Sequence, residues 1–142
     1  MPYLPLRYRR LLEHDPRYRW EAYLFVQESL IQAQKESRKE IQATEGVASD
    51  SEAEMSAVEP HLTGQELCEA LRKRAIEQYG YLAKTVLNNW GVHTTGDFGE
   101  IVYNLINIEC LKKSPGDRRE DFDDVYQFDE VFRQDFRISI ED

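Results

Sequence analysis

Residues 40–59 split the chain. From Ala43 to Glu54 there is neither an aromatic residue nor an apolar repeat, while helical periodicity runs on both sides. Such a stretch cannot bury enough apolar surface to offset the entropy of ordering it. The core must therefore be assembled from two separated parts of a 142-residue chain, a length suited to one ordinary domain. The expected organisation is an N-terminal helical segment over 1–39, a flexible acidic linker over 40–59, and a helical core with an acidic–aromatic end over 60–142 that forms one domain with 1–39. The approach to the linker, Lys35 to Gln42, has the composition to extend the first helix into solvent.

Asp15-Pro16 has the residue types of a helix start, an N-cap acid followed by proline at the first helical position. Behind it Trp20, Tyr23, Leu24, Gln27, Leu30 and Ile31 mark one helical face. Ala22, Phe25 and Val26 widen that face, so cover from more than one side is expected. Leu6–Glu13 allows a further helical turn. After the linker, Thr63-Gly64-Gln65-Glu66 has the capping-box pattern, with Leu62 and Leu67 at the staple positions. Leu67, Leu71, Ala75 and Gln78 share a face, and Gly80 offers a left-handed end. A shorter helix places Leu82, Val86 and Leu87 inward and ends at Trp90-Gly91, with Trp90 expected in the core between it and the next helix. Thr94 and Thr95 offer the cap of that helix, whose stripe is Phe98, Ile101, Val102, Leu105 and Ile108.

Cys110–Lys113 reads as a short strand entering Ser114-Pro115-Gly116-Asp117, the residues of a type II turn. Phe128, Phe132 and Phe136 are four apart and suggest a helical turn or two. Phe136–Ile140 alternates as a short edge strand does. The order helix, short helix, helix, strand, turn is that of a winged helix. The predicted fold is thus mainly α with minor β: a compact helical domain of winged-helix-like order with a short β element near the C-terminus.

The net charge is −9, and residues 114–142 carry four bases against ten acids. An acidic chain repels phosphate backbones at long range. One stretch runs the other way: Arg7, Tyr8, Arg9 and Arg10, then Arg17, Tyr18, Arg19 and Trp20. Arginines interleaved with aromatics bind single-stranded nucleic acid. They equally fold against a protein's own acidic surface, their stems covering apolar groups. The second course is expected, with the N-terminal helix docking on residues 117–135. The would-be recognition helix, 96–109, carries Asp97, Glu100 and Glu109 and no Lys or Arg, so only Asn104 and Asn107 suit base contacts. The would-be wing is better supplied, with Lys112, Lys113, Arg118 and Arg119. The candidate interaction surface is therefore Arg7, Arg9, Arg10, Lys112, Lys113, Arg118 and Arg119.

Nothing in the sequence assigns a reaction. His14, His61 and His93 belong to no spaced metal motif, and no nucleophile elbow, P-loop or dinucleotide fingerprint is present. The acidic run from Asp117 fails as a calcium loop, with Phe122 where glycine belongs and Phe128 where a bidentate glutamate belongs. Cys68 and Cys110 stand 42 positions apart, no disulfide framework or C-x-x-C motif, and read as small buried thiols. Met1–Leu6 followed by arginines lacks an apolar leader core, and the longest apolar run, Ala22 to Val26, is far too short to span a bilayer. The expectation is a cytoplasmic protein with no catalytic residue, cofactor, metal or membrane partner.

Asp15–Val26, His61–Glu66, Ala83–Gly91, Thr95–Val102 and Asp121–Phe132 together resemble a family of small conserved hypothetical proteins from planctomycete and verrucomicrobial bacteria. The resemblance spans most of the chain except the middle linker, which is longer and more acidic here. It implies a cytoplasmic bacterial protein and brings no activity, ligand or site residue with it. The function expected is a non-catalytic protein-interaction or adaptor module with an unidentified protein partner. The alternative is a nucleic-acid-associated regulator of winged-helix type.

Overall fold

A computed structural model of the chain describes residues 5–45, 62–113 and 116–132 and is mainly helical, with no strand among those residues. Helix α1 spans Leu6–His14, α2 Trp20–Glu45, α3 Gly64–Tyr79, α4 Ala83–Asn89 and α5 Thr95–Asn107. Single 3-10 turns lie at Gly80–Leu82 and Arg119–Phe122, and residues 128–132 are helical.

Two capping boxes fix helix starts. The Thr63 hydroxyl accepts from the Glu66 amide at 3.1 Å, and the Glu66 carboxylate accepts from the Thr63 amide at 2.9 Å. At α5 the Thr94 hydroxyl accepts from the Asp97 amide at 3.3 Å, and Asp97 Oδ2 accepts from the amides of Thr94 and His93. Each pair satisfies donors that a helix start leaves unmatched. Asp15-Pro16 starts no helix. Asp15 caps the end of α1, its carboxylate is drawn to Arg17 and Asn104, and α2 begins only at Trp20.

Helices α3 and α5 share the centre of the packing. Helices α2 and α3 and the turn at Arg119–Phe122 all lie against α5, and α2 also packs on α3. One core joins Ala22, Tyr23, Phe25 and Val26 of α2 to Leu67, Leu71 and Ala75 of α3, Leu87 of α4, and Phe98, Ile101 and Leu105 of α5. Phe122, Phe128 and Phe132 close it from the C-terminal side. The buried stripe of α2 runs through Ala22, Phe25, Val26 and Ser29, while Leu24 and Ile31 face outward at 39% and 51% exposure. Two residues of that inner face, Ala22 and Ser29, are small and fully buried. Helix α1 folds back on α2: Tyr8 meets Trp20 edge to face at 4.8 Å and accepts a hydrogen bond from Gln27. Leu82 is exposed, and the inward residues of α4 are Ala83 and Leu87. Trp90 is half-buried against Phe25 and Tyr79 rather than between α4 and α5.

The winged-helix order is corrected at residues 110–113. Glu109 takes φ +65 and turns the chain back over the end of α5. The amides of Cys110 and Leu111 then donate to the Leu105 carbonyl at 2.9 and 3.3 Å. Amides committed to a helix end cannot enter a strand ladder, so no wing strand forms there. The strand expected over 136–140 lies outside the described residues, as does the part of the linker from 46 to 59. Residues 40–45 are helical as the end of α2.

Candidate interaction surfaces

Two segments reach α5 from opposite sides and meet at Glu100. Its Oε1 accepts from Arg17 at 3.0 Å, and its Oε2 accepts from Arg119 at 2.6 Å. Arg17 is also chelated by Asp15 at 2.7–2.8 Å, and Arg119 by Asp123 at 2.8 Å. Beside them, buried Tyr18 donates its hydroxyl to Asp97 Oδ1 at 2.6 Å. Asn104 donates to Asp15 at 3.0 Å and to the Tyr23 hydroxyl at 3.1 Å. The Arg17 hydrogen bonds hold the Asp15 carboxyl well below the usual range. The Arg119 hydrogen bond, seconded by Arg17, lowers Glu100. Burial, and then the bond to Asp97, pushes the Tyr18 phenol up. These displaced groups are tied to one another and hold the fold in place.

The expected docking of the N-terminal arginines on the acidic residues 117–135 is therefore corrected. Arg17 turns to Asp15 and to Glu100 of α5, and the link between α1 and α2 packs on α5. The C-terminal segment packs on α3 and α5 by its own contacts. Half-buried Tyr126 donates to the Cys68 carbonyl at 2.7 Å, the Val125 amide donates to the Thr95 hydroxyl at 3.1 Å, and Lys84 pairs with Asp129 at 2.6 Å.

The seven basic candidates do not form one surface. Arg119 is spent on Glu100 and Asp123. Arg7 and Arg10 line a cleft between α1 and α5, together with Leu6, His14, Asn107 and Ile108. Lys112 and Arg118 stand on the rim of a different groove. Arg9 and Lys113 are exposed and line neither. Among the described residues the two depressions share only Glu109, at the left-handed turn that ends α5.

The groove lies between α2, the start of α3 and the second half of α5, and encloses about 550 Å³. Leu67, Val102 and Phe122 form its buried floor, and Leu30, Ile106 and Leu111 are half-buried along it. Ile31 stands exposed on one wall. The Tyr103 hydroxyl lines the groove, is shut off from solvent and has no hydrogen-bond partner. Lys112, Arg118, Asp117 and Asp121 make a rim of mixed sign, with Arg118 3.9 Å from Asp121. Sequence reasoning found two rim residues and missed the floor, because Leu67 and Phe122 lie far apart along the chain and each reads as ordinary core.

Among the described residues no three His, Cys, Asp or Glu side chains lie close enough to hold a metal ion together, and no helix is long and apolar enough to cross a membrane. The chain matches no family model, no curated protein and no solved structure.

Proposed function

We propose that this chain is a non-catalytic protein-interaction module that receives an amphipathic helix of a partner protein in the groove between α2, α3 and α5. The observation that carries this reading is the groove itself. An apolar floor between helical walls is the surface that helix-in-groove recognition uses. A rim with both signs of charge suits the polar flanks of such a helix. The two free thiols, Cys68 and Cys110, fit a reducing compartment, and the resemblance to small bacterial proteins fits a cytoplasmic one. A nucleic-acid regulator draws less support. The helix that would enter the groove of DNA has no Lys or Arg, and it lies at the centre of the packing with other elements against it.

The test is photo-cross-linking in cell extract from a reactive group placed at position 31, against one at position 78, which is exposed on α3 outside the groove. Adducts of defined mass should form from position 31 alone and disappear in Ile106→Glu. Identical adducts from both positions would refute the reading.

A further inference from the structure

The cleft between α1 and α5 is built differently from the groove. On α1, Arg7, Arg10 and His14 follow the i, i+3, i+7 spacing that aligns side chains along one helix face, and all three line the cleft. Asn104 and Asn107 of α5 form the opposite wall, and the space between encloses about 790 Å³. Arg7 Nη1 donates to the Ile108 carbonyl at 3.2 Å, placing a cation at the negative end of the α5 dipole. Asn104 is occupied by Asp15 and Tyr23. Arg10 is exposed and has no hydrogen bond or ion pair with any described residue. Leu6, half exposed, and Ile108 give the same cleft an apolar side. Among the described residues that line it Glu109 is the single acid, so this lining is locally basic in a chain of net charge −9.

We infer that this cleft docks an acidic–apolar peptide segment of a partner protein, whose carboxylates pair with Arg10 and the free edge of Arg7 and whose apolar side chain lies on Leu6 and Ile108. A guanidinium with all its donors unmatched takes a carboxylate bidentately. The apolar wall has no use for a bare phosphate backbone, whereas the net charge of the chain opposes any anionic ligand of equal charge alike. Apolar groups beside the arginines therefore favour peptide over nucleic acid. This surface is separate from the groove, and Ile31 and Ile106, which test the groove, do not line it.

The probe is a short fluorescein-labelled peptide of alternating glutamate and leucine, titrated by anisotropy with the full chain. Comparison ligands are a glutamate–serine peptide and an oligothymidine of equal charge. Saturable binding of the glutamate–leucine peptide is expected, weakened about tenfold by Arg10→Glu and changed less than about twofold by Arg9→Glu, the same charge reversal one residue away and outside the cleft. Asn107→Asp, from the other wall, should weaken it in the same direction. The glutamate–serine peptide should bind more weakly than the glutamate–leucine one. The inference fails if no saturable binding is seen, if Arg9→Glu and Arg10→Glu weaken binding alike, or if the oligothymidine binds as tightly as the glutamate–leucine peptide. Circular dichroism of each variant keeps misfolding apart from lost binding.

Discussion

The two segments that flank α5 are held by different balances of the same means, since the N-terminal one buries a single ring, Tyr18, 2% exposed, and the C-terminal one buries three phenylalanines beside its own polar bonds. On the N-terminal side, residues 15–18 lie on α5 through polar bonds: Asp15 with Arg17 and Asn104, Arg17 with Glu100, Tyr18 with Asp97. On the C-terminal side, Phe122, Phe128 and Phe132 are all less than 7% exposed, and Phe128 sits 5.2–6.1 Å from the rings of Phe98, Tyr126 and Phe132. Buried rings contribute free energy in proportion to the area removed from water. Half-exposed ion pairs contribute little and chiefly fix direction. One helix thus receives a strongly bonded aromatic flank and a precisely aimed polar one.

The comparison is broken most directly at Phe128. Phe128→Ala should lower unfolding free energy by about 3–5 kcal/mol, as large-to-small core changes do, read by urea denaturation; a loss below about 1 kcal/mol would mean the C-terminal flank is not apolar-driven. The N-terminal flank has one comparable weak point, in the backbone rather than in its ion pairs. Gly91 has φ +97, and a Cβ there would run into the Arg17 carbonyl. Gly91→Ala should cost roughly 2–4 kcal/mol, from a strained φ together with overpacking, on the same denaturation curve.

Glu100→Gln is the smaller test. Its partners Arg17 and Arg119 are 51% and 31% exposed, so the loss at neutral pH should stay below about 1 kcal/mol. Asp15 and Glu100 both have lowered carboxyl pKa values. The stability they contribute is complete above the unfolded carboxylate range, near pH 4, and is lost as pH falls through the lower folded values. Thermal melts of Glu100→Gln should therefore show a shallower decline below about pH 4 than the parent chain, with the slope unchanged at neutral pH. An equal decline would show that the Glu100 pairs, with Arg119 on one flank and Arg17 on the other, are not what acid releases.

The smallest effect is kinetic, and it separates the flanks by their cysteines. Burial raises the Cys68 thiol to about 12, and Tyr126 covers its carbonyl. Cys110 is half-buried, 3.9 Å from the Arg7 guanidinium. Since the thiolate is the reacting form, iodoacetamide should label Cys110 first and Cys68 only as the C-terminal flank opens. Faster labelling of Cys68 in Phe128→Ala, with Cys110 unchanged, would sharpen the comparison.

How far the sequence disclosed this arrangement depends on how local each signal is. Thr63 with Glu66 sets a helix start through bonds spanning three residues and was legible in full; for α5 the sequence offers Thr94 and Thr95 alike as the cap, and the structure uses Thr94, with Asp97 completing the box. The core stripe of α5 was legible too, because Phe98, Ile101, Val102 and Leu105 repeat within one helix. The inner face of α2 was legible in part, since Tyr23, Ala22, Phe25 and Val26 are buried as expected. Leu24 and Ile31 look more apolar than Ala22 and Ser29, but two neighbouring helices select the small residues. The strand at 110–113 failed because one left-handed residue, Glu109, redirected its amides to Leu105. Charge complementarity pointed the N-terminal arginines at the densest acids, whereas Arg17 is matched by Glu100, a single acid in a segment whose charges balance. Of the candidate site, Lys112 and Arg118 were named from the sequence. The groove they rim was hidden, since its walls come from three elements that meet only in the folded chain.

Asp97 divides its two oxygens between unlike tasks. Oδ2 holds the His93 and Thr94 amides at the start of α5, and Oδ1 receives the Tyr18 hydroxyl from the N-terminal flank. The same carboxylate therefore reports on both. Hydrogen exchange at the His93 and Thr94 amides becomes a reporter of the distant flank: whenever Tyr18 lifts away, the carboxylate loses one of its anchors, and protons at the head of the central helix should exchange sooner than those in its middle.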